Sequence, residues 1–280
     1  MKKSIIGKFL CLSLCSAFLL SGCGNSSNSS SSTGSSSSSG EDTSLQDVLD
    51  SGKLVLGLDP TFKPMGYTDD NDQIVGFDID LAKEVCSRMN VELETYSVNW
   101  DTKEQDLNAG TIDCIWNGLS VSEERAKIML LSEPYMNNSM VFVVKSNSGI
   151  ASMSDLDGKT VAVQNGSTAQ EILNASDIAS TITASELASN AEALNQLDLD
   201  MADAVFLDSV VANYEIATTG KDYTVLPDGL EEEQYAIGFR LGDNALCDKV
   251  EEVLGEMKED GTLADISTTW FGSDVTTFAK

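Results

Sequence analysis

The sequence predicts an α/β protein of two lobes, on three observations. Short apolar strands alternate with segments of helical periodicity. The alternation stops after residue 144 and restarts at Lys159. Behind the first 43 residues lies enough chain for two cores. Residues 54–58 form an apolar strand, and the acidic run 69–72 a turn before a short extended piece over 74–77. Residues 78–89 are helical, with Leu81, Ala82, Val85, Cys86 and Met89 on one face. Strands are expected over 91–98, 112–116 and 139–144, the last long enough to cross between lobes. The second block opens with a strand over 159–163, then Gln164–Thr168 leading into a helix. A helix over 186–197, a strand over 203–207 and a helix over 208–218 follow. A returning strand over 236–240 precedes helices over 245–258 and 263–269.

The ends and the composition narrow the class. Lys2, Lys3 and Lys8 precede an apolar run over 9–20, a signal-peptide layout too short for a comfortable membrane span. The run ends at Leu20-Ser21-Gly22-Cys23, which resembles the lipobox of bacterial lipoproteins; the alternative is an ordinary secretory signal that contains a cysteine. Residues 1–22 are thus the expected signal peptide, and 23–43 a lipidated cysteine followed by a serine-rich linker. Such a linker buries too little apolar surface to order itself. The formal net charge is −28, and losing the leader lysines makes it more negative, which excludes nucleic acid and anionic lipid as partners. Histidine is absent, so Ser-His-Asp and Cys-His catalysis and all His metal sites are excluded. Of six cysteines, Cys86, Cys114 and Cys247 lie beyond the leader and Cys23, and buried free thiols are expected. The acids over 69–80 do not make an EF-hand, because Ile74 stands at the required glycine; a turn and a helix cap at Asp78 are expected instead. No metal or cofactor is expected.

The chemistry concentrates in Asn117-Gly118-Leu119-Ser120-Val121-Ser122-Glu123-Glu124-Arg125. A guanidinium holds a carboxylate through two parallel hydrogen bonds, which an ammonium cannot do. The tract also fits a strand, a turn and a solvated helix with Arg125 paired to Glu123 or Glu124. Further short segments stand in a fixed order around it. They are Gly57-Leu58-Asp59-Pro60-Thr61-Phe62-Lys63-Pro64, Gly76-Phe77-Asp78-Ile79-Asp80-Leu81-Ala82, Ser132-Glu133-Pro134-Tyr135 and Leu156-Asp157-Gly158-Lys159. Gln164-Asn165-Gly166-Ser167-Thr168, Ala202-Asp203-Ala204-Val205, Gly261-Thr262-Leu263 and Trp270-Phe271-Gly272 follow. With these segments the chain resembles the family 3 solute-binding proteins, the polar amino-acid receptors of ABC importers.

The resemblance implies a two-lobed periplasmic-binding-protein-like fold with two crossover hinge strands. Lobe 1 would comprise 44–144 and 236–280, lobe 2 residues 145–235, with hinges near 143–145 and 235–237. The protein would be a monomer, anchored by lipid (palmitate) on Cys23 to the extracytoplasmic face of the cell membrane, passing an amino acid to ABC permease subunits. Arg125 matches the arginine that binds the ligand α-carboxylate, Ser120 the hydroxyl beside it, and Gly118 a carbonyl offered to the α-ammonium; Asn117 opens the same tract. Ser167 and Thr168 match the anion-favouring start of a lobe 2 helix, which is also an ordinary cap. Asp208 matches the carboxylate that pairs with the ammonium, or else caps a helix. Phe62 and Trp100 match rings that sandwich the ligand side chain, or else belong to the core. Asp59 either reads a polar ligand group or caps its loop. Trp116 either lines the pocket or packs beneath it. Met65 after Pro64, and Leu131 and Glu133 around Ser132, depart from the family's usual residues and leave side-chain specificity open. The chain is not expected to be an enzyme. The rival readings are a cyclohexadienyl dehydratase-like enzyme, using Glu171 or Asp208 as its acid, and a ligand sensor on the same fold.

Overall fold

The computed structural model describes residues 41–280. The expected signal peptide, the Cys23 lipidation site and the linker up to residue 40 lie outside the described residues.

The chain begins with helix α1 (Ser44–Ser51), ended by Gly52 in the left-handed conformation, and enters β1 (Lys53–Leu58). A three-stranded flap, β2 (Thr61–Phe62), β3 (Gly66–Thr68) and β4 (Ile74–Val75), carries the acidic turn. There Asp69 Oδ1 accepts from the Asn71 and Gln73 N–H groups, a local turn and not an ion cage. Next come α2 (Phe77–Met89), β5 (Glu92–Ser97), α3 (Lys103–Asn108), β6 (Cys114–Ser120), α4 (Arg125–Ile128), β7 (Leu130–Leu131) and β8 (Met136–Lys145). The middle block contains β9 (Thr160–Gln164), α5 (Thr168–Ala175), β10 (Thr183–Leu187), α6 (Asn190–Asp198), β11 (Ala204–Asp208), α7 (Ser209–Thr219) and β12 (Tyr223–Val225). The chain returns along β13 (Glu231–Phe239) and closes with α8 (Asn244–Asp260) and α9 (Thr262–Phe271).

The main sheet runs β10-β9-β11-β8-β13-β6-β1-β5. Its two ends are parallel trios, β10/β9/β11 and β6/β1/β5, as expected for strands linked through helices. Antiparallel β8 and β13 join the trios. Residues 136–140 of β8 pair with β13, and residues 140–144 pair with β11. Residues 143 and 144 are held by both β11 and β12, Lys145 by β12, and β8 changes partner at Met140.

Several expected elements are corrected. The strand over 112–116 is observed as Cys114–Ser120, because Ser120 and Leu119 pair with Tyr235 and Ala236 of β13. The helix over 186–197 begins only at Asn190. Glu186 and Leu187 pair with Val163 and Gln164 in a parallel ladder, and Ser189 caps the helix from Glu192 N–H. Asp78 is no cap: Gly76 is the N-cap of α2, and Asp78 lies fully buried in its first turn. Cys86, Cys114 and Cys247 are buried free thiols. Burial pushes the Cys86 thiol up to about 12.

Candidate functional site

A narrow cavity of about 10 Å³ lies where β6, α4, α5 and β11 converge. Arg125 opens α4 and is 3% exposed. Its backbone N–H donates to Ser122 Oγ at 3.2 Å. Its Nη1 donates to the Ser120 carbonyl at 2.9 Å and to Thr168 Oγ1, at the first residue of α5. The solvated alternative is thereby excluded: Glu124 pairs with Lys127, and Arg125 faces inward. Burial pulls its guanidinium down, against the opposing charges of Glu171, Glu104, Glu233 and Asp208.

Gly118 sits in β6 at φ 60, and a Cβ there would stand 2.7 Å from Phe62 Cε1. A side chain is therefore excluded by both backbone and ring. Its N–H donates to Asp78 Oδ2 at 2.8 Å. Burial raises the Asp78 carboxyl to about 7, against hydrogen bonding from the Gly118 N–H. Trp116 resolves as a residue beneath the pocket, fully buried and edge-on to Tyr135 at 6.3 Å.

Opposite Arg125 stands Asp208, at the end of β11 and 6% exposed. It occupies the N-cap position of α7, yet its side chain makes no cap bond. Oδ1 instead accepts from Tyr235 OH at 2.6 Å and Asn138 Nδ2 at 2.9 Å. Burial raises its pKa, against Tyr235 and Arg125. Ser167 lines the cavity and also caps α5, accepting from Gln170 N–H at 3.1 Å and donating to the Gln164 carbonyl at 2.7 Å. Ser167 is therefore a helix cap that also faces the cavity.

Phe62 and Trp100 line the cavity alongside Ser120 and Thr168. Asp59 and Asn117 are buried but do not line it. Asp59 Oδ1 accepts from Thr61 N–H and Oγ1, and Oδ2 from Gln164 Nε2 at 2.9 Å. Asn117 Oδ1 accepts from the Asp59 N–H at 3.0 Å, so its side chain braces the β1 end.

The structure adds Met140 and Gln164 to the cavity wall. Behind the wall lies Lys103, 1% exposed, whose Nζ donates to the Trp100 carbonyl at 2.9 Å and to the Gly166 carbonyl at 3.1 Å. Nζ lies 2.9 Å from Glu104 and 4.8 Å above the Trp100 ring. Burial, with Arg125, lowers the Lys103 pKa to about 8. Gln164 was open to discovery, since it begins the quoted Gln164–Thr168 motif; Lys103 carries no motif and becomes notable only through burial. Among the described residues no cluster of His, Cys, Asp or Glu is arranged to hold a metal, and no helix is long and apolar enough to cross a membrane.

Residues 54–273 match the model of the bacterial extracellular solute-binding proteins, family 3. The arginine-binding extracellular protein ArtP of Bacillus subtilis is 30% identical over 275 residues, covering 97% of this chain and 98% of ArtP. An ABC uptake transporter substrate-binding protein from Streptococcus pneumoniae, solved with bound histidine, superposes with a TM-score of 0.82. It shares 36% identity over 84% of this chain and 98% of its own. An ancestral amino-acid-binding protein, AncCDT-1, described as a precursor of cyclohexadienyl dehydratase, has a TM-score of 0.76 and 31% identity, covering 81% of this chain and 99% of its own.

Proposed function

The chain belongs to the bacterial extracellular solute-binding proteins, family 3, and we propose that it captures a polar L-amino acid between its lobes and delivers it to an ABC permease. The observation that carries this reading is a buried guanidinium and a buried carboxyl, Arg125 and Asp208, lining one narrow cavity with two aromatic rings. In this reading Arg125, Ser120 and Thr168 hold the α-carboxylate, Gly118 and Asp208 the α-ammonium, and Phe62 and Trp100 the side chain. Asp59 and Asn117 support that set from behind, through Gln164 and the β1 end. Hydrogen bonds to charged groups contribute about 1.5–3 kcal/mol each. A few of them, less association costs, reach the roughly −8 kcal/mol of micromolar binding.

The lobes divide as 44–144 with 236–280 against 145–235, with hinges near 143–145 and 235–237. Arg125 to Thr168, Gln164 to Asp59 and Lys103 to Gly166 then form the bonds made only on closure. Such closed-state contacts shift the population toward the closed form. The protein acts as a binding protein, not an enzyme, as a monomer tethered through lipid on Cys23. Metabolic labelling with palmitate tests the anchor, and label persisting in Cys23→Ala would refute it.

A thermal-shift panel of the twenty L-amino acids tests the function. Ligand at a hundredfold over its dissociation constant adds about 2.7 kcal/mol of stability. A rise in Tm is expected with polar or basic side chains, and a panel without any shift would sink the reading.

A further inference from the structure

A second carboxyl, that of Glu233, stands beside Asp208. One amide joins the two: Asn138 Nδ2 donates to Asp208 Oδ1 at 2.9 Å and to Glu233 Oε1 at 2.5 Å. Glu233 Oε2 is buried without a hydrogen-bond partner. Neighbouring strands build the cluster. Asp208 pairs with Met140 between β11 and β8, Asn138 with Glu233 between β8 and β13, and Tyr235 with Ser120 between β13 and β6. Backbone ladders at the crossover thus hold the group together, with no need of the cross-lobe contacts.

Asp208 is buried, and Glu233 is part-buried with one oxygen enclosed; two carboxylates on one neutral amide repel each other, which disfavours ionising both. Arg125 faces them from α4, the Tyr235 hydroxyl from β13 and the Ser120 hydroxyl from β6. Glu171 of α5 lines the same outer groove as Glu233 and adds negative charge. Arg125 offsets only part of the burial and repulsion, and in the reading above the ligand carboxylate takes up its charge.

We propose that Glu233 is the second carboxyl of the ammonium end: it shares one proton with Asp208 until the ligand's ammonium arrives, and the pair then releases that proton. This rests on the assignment of Arg125 and Asp208 to the two ends of an amino acid. Glu233 works through Asn138 and its own charge, and is a positioning residue. Burial and the neighbouring Asp208 charge raise its carboxyl to about 8, in keeping with a stored proton. A group protonated before binding and ionised after it makes affinity rise with pH up to its free pKa and level off above. For one proton the slope is at most about tenfold per pH unit.

Two measurements test this. Carboxyl-carbon NMR of the ligand-free protein, with Glu233→Gln to assign the signal, is expected to show Glu233 titrating about three units above an ordinary glutamate. Titration in the ordinary range overturns the proposal whatever the ligand is. Calorimetry with L-arginine and L-glutamine, whose side chains do not titrate near neutrality, is run in phosphate and in Tris between pH 6 and 8. About one proton should be released in the native protein and almost none in Glu233→Gln, whose affinity becomes flat with pH; Glu233→Asp should restore the slope. Binding with no proton release, or an unchanged slope in Glu233→Gln, overturns the proposal and leaves the amino-acid site standing. A protein whose panel shows no amino acid bound loses both.

Discussion

The two ends of the cavity are built in opposite ways. The cationic end comes from one continuous tract: β6 ends at Ser120, Arg125 follows five residues later, and its Nη1 returns to the Ser120 carbonyl. The acidic end is gathered from strands far apart in the chain, with Asp208 on β11, Asn138 on β8 and Glu233 and Tyr235 on β13. A local tract gives one rigid group with no substitute. A gathered cluster shares its charge over several groups, and its behaviour belongs to the set. Loss of the single cation should therefore be severe, and loss of one acid graded.

The largest effect should come from Arg125→Ala. Truncating one partner of a buried charged pair costs roughly 2–5 kcal/mol or more, so no amino acid should shift the Tm at millimolar concentration. Arg125→Lys keeps the charge but loses the fork and should bind weakly. An undiminished shift in Arg125→Ala would remove the assigned carboxylate subsite. Asp208→Asn should be milder, about 10- to 100-fold in Kd by calorimetry, the scale of one lost charged hydrogen bond of about 1.5–3 kcal/mol. Gly118 remains there to meet the ammonium, with the Glu233 charge behind Asn138. Equal losses at the two ends would erase the contrast.

A smaller effect is expected at the cross-lobe contacts. Gly166 has φ 68, and a Cβ on it would lie 2.5 Å from the Asp101 Cα, a backbone atom that cannot swing aside. Gly166→Ala should weaken binding about tenfold, on the scale of 1–3 kcal/mol for strained backbone. The loss should fall on closure, seen as a larger radius of gyration by solution scattering at saturating ligand. A variant that closes fully with native affinity would contradict the placement. The smallest effect should be Gln164→Ala, a few-fold in Kd, because its bond to Asp59 is one of several across the cleft.

Much of the fold was readable because apolar periodicity reports burial directly. The strand around residue 56 and the helix of Leu81, Val85 and Met89 lie close to their expected positions. Where the period was weak, pairing decided. Glu186 and Leu187 read as helix yet form an edge strand, since the ladder to β9 supplies the bonds their own pattern does not indicate. Within the cavity, Phe62, Trp100, Gly118, Ser120, Arg125, Ser167, Thr168 and Asp208 are brought together. Asn117 is not: its side chain turns to the Asp59 backbone, a choice set by the neighbouring strand β1 and invisible in its own tract. Glu233 was hidden for another reason. It sits in the run Glu231-Glu232-Glu233, which reads as a solvated charged edge, and only the course of β13 tucks one oxygen of the third carboxyl inside.

What the sequence determined alone was composition-borne and local: chemistry without histidine, a strongly acidic surface, alternating strands and helices, and a guanidinium following a strand of small residues. Side-chain type and short-range spacing suffice for these. Tertiary structure decided which acids meet, which lysine is buried and which side chains turn away from the cavity. Those depend on strand register and on contacts between residues some seventy to a hundred positions apart, such as Asn138 with Asp208 and Glu233, and no local pattern encodes a distance of that kind.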